Sequence, residues 1–200
     1  MLQQFIKSYW SYYLELEAQF IETKRYVEFG QDNSKTYSVE YLKLYQAVCS
    51  EIDVVGKEIA KYRNPNFKTK DANIKKWGYE FQQLFGHIKD VQVSFVSEQT
   101  IHPFLNWEYE IHTDKKGRQN LRLVDGAKNV IPWWSSYNDV KHQRIGLVTG
   151  TQNFPLANQK NLVSAFSALF LMEIMFIDYL KNRESIQIEI EKSKLFSVIE

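Results

Sequence analysis

The segment 162–180 constrains the fold of this chain more than any other feature, because apolar side chains occupy almost every position in it. A helix that is apolar all round must be enclosed, either by the rest of the protein or by lipid. The segment also contains the carboxylates Glu173 and Asp178, which would be costly in a lipid-facing span. We therefore predict a central bundle helix, from about residue 155 to 181, around which the other elements pack.

Four further segments repeat apolar residues at intervals of three and four, which is the period of an amphipathic helix. They span about residues 2–29, 39–62, 71–85 and 132–145. Capping signals agree with these limits, since Ser38 can cap the second helix and Pro132 suits the first position of the fourth. The sequence therefore predicts a mainly α fold.

The period changes to two between the third and fourth predicted helices, which indicates β-strands. Apolar residues alternate with polar ones over about residues 91–95, 107–111 and 121–123. Residues 114–117, Asp-Lys-Lys-Gly, form a suitable turn between the last two runs. We expect an antiparallel hairpin here, with the run at 91–95 as a candidate third strand.

The C-terminal tail alternates again at Ile186, Ile188 and Ile190, so we expect a last strand against the inserted hairpin. The whole chain is then one domain over residues 1–200. Its predicted fold is a helical bundle with a small antiparallel hairpin or sheet inserted at about 90–125, and a strand or tail at about 184–200.

Charge and cysteine content narrow the class of protein. The formal net charge is only +1, whereas dedicated nucleic-acid binders are usually strongly basic, so contact with nucleic acid would need a local patch. Lys and Arg gather between residues 57 and 76, and a solvated surface is the favoured interpretation. A single cysteine, Cys49, forms no internal disulfide and suits a reducing compartment. With no signal peptide visible, we expect a cytoplasmic protein.

The fourth predicted helix carries the one concentrated polar constellation of the chain. Residues four apart on a helix lie on nearly the same face. One row of this helix contains Trp134, Asn138 and His142, and a neighbouring row contains Trp133, Tyr137, Lys141 and Arg144.

Two interpretations of this helix remain open. His142 can serve as general acid or base near neutral pH, Asn138 can orient a hydroxyl, and Lys141 with Arg144 can hold a phosphate. Alternatively, the aromatic residues are core anchors, and Asn138 and His142 are a hydrogen-bonded structural pair. The structural interpretation is the stronger one on spacing alone.

The spacing Asn138-x-x-x-His142 in a late helix, followed by a long apolar helix, resembles the HEPN domains (higher eukaryotes and prokaryotes nucleotide-binding). The run Trp-Trp-x-x-Tyr-Asn-x-x-Lys-His-x-Arg looks like a variant found in bacterial HEPN-like proteins. The usual motif of the family begins with an arginine, and Tyr137 occupies that position here. The specific resemblance covers about twelve residues, and the order of helices extends a weaker one over most of the chain.

The resemblance implies an all-helical bundle, often dimeric. It also implies a metal-independent ribonuclease activity, as in many HEPN proteins of prokaryotic defence and toxin–antitoxin systems. By this resemblance His142 and Asn138 take the family's catalytic positions, with Lys141 or Arg144 in place of the missing arginine. Tyr137 and Trp134 would support or contact the substrate.

The second predicted helix offers a complement to this site. Asp53 and Lys57 are four apart and can pair as a surface ion pair, which is the favoured interpretation. In the alternative, Glu51 or Asp53 orients His142 across the bundle. The other histidines show no metal-binding helical spacing, and we see neither a phosphate-cradling glycine loop nor a nucleophile elbow. We therefore expect no metal and no cofactor.

Two functions follow as hypotheses. The first is an HEPN-like homodimer that cleaves RNA or acts on nucleotides. The second is a non-catalytic HEPN-like module that dimerises or binds a partner protein, which Tyr137 at the arginine position favours. Neither hypothesis involves a membrane.

Overall fold

The structure, a computed structural model, describes residues 1–96, 99–124, 131–145, 147–148 and 151–199. It is mainly helical with small antiparallel sheets, which confirms the predicted class. Its helices are α1 (Leu2–Phe5), a π-helical turn (Ile6–Trp10), α2 (Ser11–Glu22), α3 (Val39–Arg63), α4 (Ile74–Leu84), α5 (Pro132–His142) and α6 (Gln159–Glu184).

Helix α6 lies at the centre of the bundle, as its apolar sequence predicts. Among the described residues it is the one helix with the length and composition to cross a membrane. However, 72% of its most apolar window is buried in protein, as in the core helix of a soluble protein. Asn158 caps its first turn by accepting from the backbone N–H of Asn161 at 3.0 Å. Its most extensive helix contact is with α3.

Helices α3 and α4 approach closely because a glycine faces a tryptophan between them. A Cβ on Gly56 would lie 2.5 Å from the ring of Trp77, so only hydrogen fits there. The indole Nε1 of Trp77 donates to Asp53 Oδ1 at 2.9 Å. Helix α4 begins at Ile74 instead of near residue 71, because Asn73 caps it by accepting from Lys76 N. This packing fixes the start of α4 beside α3.

The predicted hairpin is present, but the third strand and the tail pair differently from the prediction. Strand β3 (Tyr109–Thr113) pairs with β4 (Gln119–Leu123). A separate sheet has the order β2-β1-β7, from β1 (Gln92–Phe95), β2 (Gln99–Ile101) and β7 (Phe196–Ile199), and a third pair joins β5 (Leu147–Val148) to β6 (Thr151–Gln152). Residues 97–98 and 125 of the predicted β element lie outside the described residues.

The prediction of a strand at Ile186–Ile190 that pairs with the hairpin is wrong, since the tail pairs only from Phe196 onward, and with β1. Strict alternation at 186–190 instead reflects an extended segment whose isoleucines pack against the core. The first three helical elements, α1, the π-helical turn and α2, together form the N-terminal helix. The tail is held by hydrogen bonds to this helix, including one from Trp10 Nε1 to Glu191 O at 2.9 Å. Between α6 and β7, hydrogen bonds that involve side chains, rather than a strand ladder, therefore position the tail.

Glu17 of α2 is the main anchor of the tail. Its carboxylate is buried, and it accepts from the backbone N–H of Lys194 at 2.9 Å and of Leu195 at 3.3 Å. The hydroxyl of Ser193 donates to it as well, and that of Tyr13 does so at 2.7 Å. A buried charge is tolerated when it is hydrogen-bonded in this way.

Candidate functional site

Helix α5 carries the predicted constellation and is fixed at both ends. Pro132 occupies its first turn, and the indole of Trp133 donates to Pro103 O at 2.9 Å. Its C-terminus is held by Asn153, whose Nδ2 donates to the carbonyls of Asp139 at 3.3 Å and Gln143 at 2.7 Å. The helix therefore ends at His142, three residues before the predicted end.

Tyr137, at the position of the family's arginine, is part of the packed interior. It is 5% exposed, and its ring centroid lies 6.0 Å from that of Tyr45 and 5.3 Å from that of Trp134. Burial, helped by the nearby Cys49 and Asp53, raises the pKa of Tyr137 to about 12. Its phenol therefore stays protonated at neutral pH. The ammonium group of Lys141 lies over its ring, with Nζ 5.4 Å from the centroid, in a cation–π contact.

A cleft of about 380 Å³ lies between α3, the start of α4 and one face of α5. Helix α5 contributes Trp134, Tyr137, Asn138 and Lys141. The opposite walls contain Ser50 and Asp53 of α3 and residues 72–75 at the start of α4. The structure thus brings together residues from both predicted rows of α5.

The electrostatics of the cleft favour an anion. Lys75 and Lys141 line it, and α4 begins at it, so the positive end of that helix dipole is directed there. The one carboxylate in the lining, Asp53, is offset by its ion pair with Lys57 and by the indole N–H of Trp77. The pairing of Asp53 with Lys57 confirms the ion pair predicted from their spacing.

His142 and Arg144 lie outside the cleft lining. Asn138 is half-buried at the cleft. His142 follows one turn later on the same row; it is the last residue of α5, and its side chain is exposed. Arg144 is also exposed, but it lies beyond the end of the helix, so the prediction that it continues the row of Lys141 is wrong. The chain turns away there because Gln143 leaves the helical conformation.

Glu51 lies away from the cleft, although the sequence groups it with Asp53. It is half-buried, and burial raises its pKa. Its charge adds to the effect of burial in raising the pKa of Tyr9 and that of Glu173. Two residues along a helix turn a side chain by roughly 200°, which separates Glu51 from Asp53.

Sequence reasoning missed Lys75, Ser50 and the N-terminus of α4 as parts of this site. Lys75 belonged to a group of lysines and arginines interpreted as solvated surface, and only the contact between α3 and α4 brings it to α5. Asn73, a good N-cap residue before an apolar run, was the available signal for a helix start there. The described residues contain no group of three or more His, Cys, Asp or Glu placed to hold a metal ion.

The protein-family models, curated proteins and solved structures compared with this chain include no match to it.

Proposed function

We propose that this chain is an HEPN-like, RNA-binding protein that cleaves single-stranded RNA without a metal ion, as a homodimer. The observation that carries the proposal is the cleft beside α5, where Asn138 and Lys141 face Lys75 across a positively charged space. His142 is exposed one helical turn from Asn138. We infer that a phosphodiester held at the edge of the cleft, beside Asn138, can reach the exposed imidazole of His142.

Binding is supported by the chemistry of the lining. Two ammonium groups and the positive end of α4 suit one or two phosphates. The hydroxyl of Ser50 and the amide of Asn138 are placed to bond to phosphate or ribose oxygens. A cleft of about 380 Å³ is large enough for roughly one nucleotide unit, so the chain reads a short stretch of backbone.

Cleavage follows the route that the resemblance implies. The neutral imidazole of His142 takes the proton of the 2′-hydroxyl, whose oxygen attacks the adjacent phosphorus. A 2′,3′-cyclic phosphate forms as the bond from phosphorus to the 5′ oxygen breaks. The departing oxygen takes its proton from the imidazolium of a second copy of the chain, which is why the proposal includes a dimer. Lys141 offsets the charge that develops on the phosphoryl oxygens.

The packing of Tyr137 supports a second candidate function. At the position where the family has an arginine, the side chain packs against aromatic rings and is only 5% exposed. A phenol protonated at neutral pH cannot replace a guanidinium at a phosphate. The alternative is a non-catalytic HEPN-like module that dimerises or binds a partner through the same helix.

Cleavage of a fluorescent single-stranded RNA by the purified chain distinguishes the two. We expect cyclic-phosphate products from the wild type, and a loss of at least about 100-fold for His142→Ala and Asn138→Ala. His112→Ala and Asn120→Ala are matched controls, because both residues are exposed on the β3–β4 hairpin. If all four variants fold and none differs from the wild type, the ribonuclease proposal is rejected.

A further inference from the structure

A second polar cluster lies between α6, α3 and the N-terminal helix, and its central member is Glu173. This carboxyl group is fully buried, and neither of its oxygens has a hydrogen-bond partner among the residues that the structure describes. Most buried polar side chains in native proteins are bonded, so an orphaned carboxyl in a central helix calls for an explanation. Glu17 shows the ordinary arrangement in the same protein, with four donors on one buried carboxylate.

In the described part of the chain, the groups whose charges act on Glu173 or respond to it are all acids. Glu51 of α3 acts on it directly, and Tyr9 lies among Glu51, Glu58 and Glu173. Tyr13 of α2, beside Glu17, is influenced by Glu173 as well. Burial, reinforced by Glu51, holds the pKa of Glu173 far above its ordinary value. Burial therefore favours the neutral carboxylic acid over the carboxylate at this site.

The backbone beside the cluster is irregular. Tyr9 belongs to the π-helical turn Ile6–Trp10, which interrupts the N-terminal helix. Turns of this kind are rare and are frequently found at functional sites. The hydroxyl of Ser11 donates to Ile6 O at 3.1 Å across the turn. An irregular turn of the N-terminal helix therefore lies close to the buried carboxyl.

Aromatic contacts on both sides of the π turn hold this helix on α6. The ring centroids of Phe5 and Phe176 are 4.9 Å apart, and those of Trp10 and Phe170 are 6.2 Å apart. Phe170 and Phe176 precede and follow Glu173 by one helical turn, so the N-terminal helix covers the carboxyl. The N-terminal helix is therefore one of the elements that shield Glu173 from water.

We propose that Glu173 is a proton-operated latch, which in its neutral form lets the N-terminal helix dock on α6 and which on losing its proton releases that helix. The docked form then binds one more proton than the released form, whose carboxyl has an ordinary pKa of about 4.3. Between that value and the raised one, release becomes about tenfold more favourable for each pH unit. The docked form is accordingly strengthened by acid and weakened by alkali.

Hydrogen exchange of the full chain tests the latch. After correction for intrinsic exchange, we expect the protection of amides in residues 2–22 to fall about tenfold per pH unit between about pH 5 and pH 8. Glu173→Gln should abolish the pH dependence, whereas Asp178→Asn, an exposed carboxylate on the same helix, should retain it.

The protonation state has a readout of its own in the wild type, which also serves if the Glu173→Gln variant fails to fold. In a chain with ¹³C-labelled glutamate carboxyls, one resonance should keep the position of a neutral acid at pH 7. If every glutamate carboxyl titrates near its ordinary pKa, the proposal is overturned. It is equally overturned if the neutral resonance is present but the protection of residues 2–22 is independent of pH.

Discussion

Glu17 and Glu173 are both enclosed carboxyl groups, but their partners differ completely. Glu17 accepts hydrogen bonds from one side chain and two backbone N–H groups of the C-terminal tail, and from the hydroxyl of Tyr13 on its own helix. Glu173 accepts none from the described residues. The sequence presents both as acids in helical, largely apolar surroundings. Their roles depend on which distant segment returns to them, which for Glu17 is a tail more than 170 residues away.

Replacement of Glu17 by alanine should release the start of the tail and destabilise the protein. Four donors lose their acceptor and a buried space is left, so we expect the free energy of unfolding to fall by about 2–4 kcal/mol. Urea denaturation measures this. Glu15→Ala, on the exposed side of the same helix, should change stability by no more than about 0.5 kcal/mol. Equal losses in the two variants would contradict the role given to Glu17.

Residue types and spacing were enough to place Asn138 and Lys141 on an accessible site, but not to complete it. The rows on α5 assumed that the helix continues to residue 145, whereas Asn153, from a following segment, ends it at His142. Arg144 was misplaced for that reason. Lys75 was missed because its position depends on a contact between two other helices. Local periodicity shows which residues lie on the same face of a helix, but it does not show which element packs against that face.

At the scale of elements, the existence of the helices was predictable and the pairing of strands was not. The limits of the first helix were wrong, because a π-helical turn interrupts it and α2 ends at Glu22 instead of near residue 29. Each helix has its own apolar stripe, so its existence can be read within one window of sequence. The hairpin β3–β4 was also predictable, because its turn joins adjacent strands. By contrast, the pairing of β1 with β7 joins residues about a hundred positions apart, and alternation says nothing about the partner. The alternating isoleucines of the tail led us to predict the strand at 186–190, whereas the strand forms at Phe196–Ile199.

The contact between α3 and α4 positions one wall of the cleft, and Gly56 is the residue that permits it. Gly56→Ala would place a Cβ 2.5 Å from the ring of Trp77, which cannot be accommodated without movement of the indole. We expect a loss of about 1–3 kcal/mol of stability and a changed tryptophan fluorescence, as the bond from Trp77 to Asp53 is disturbed.

Gly86→Ala is the matched control for this substitution. Its Cβ would come no closer than 3.6 Å to Gln82 O, which is an ordinary contact. Stability and fluorescence should therefore stay close to those of the wild type. If Gly56→Ala behaves like this control, α3 and α4 do not pack as closely as described, and the wall of the cleft would have to be placed differently.

For the whole molecule, a net charge of +1 means that long-range attraction to nucleic acid is weak. Any affinity for RNA must therefore come from a local excess of positive charge. The cleft provides one, since Lys75 and Lys141 converge there while Asp53 is paired with Lys57. Lys116, in the turn between β3 and β4, is exposed and lies outside the cleft. The proposed function thus predicts where the salt dependence of binding originates.

Binding of an unstructured RNA should weaken with salt in proportion to the phosphates that the cleft neutralises. For single strands the slope of log K against log salt concentration is about −0.7 per phosphate contact. In a His142→Ala background, which keeps the RNA intact, Lys75→Ala and Lys141→Ala should each reduce the magnitude of the slope by about 0.7, and the double variant by about 1.4. Lys116→Ala should leave it unchanged. Fluorescence anisotropy over a salt series measures the slope, and if the cleft lysines prove no more important than Lys116, the bound RNA lies on another surface and the proposed function loses its site.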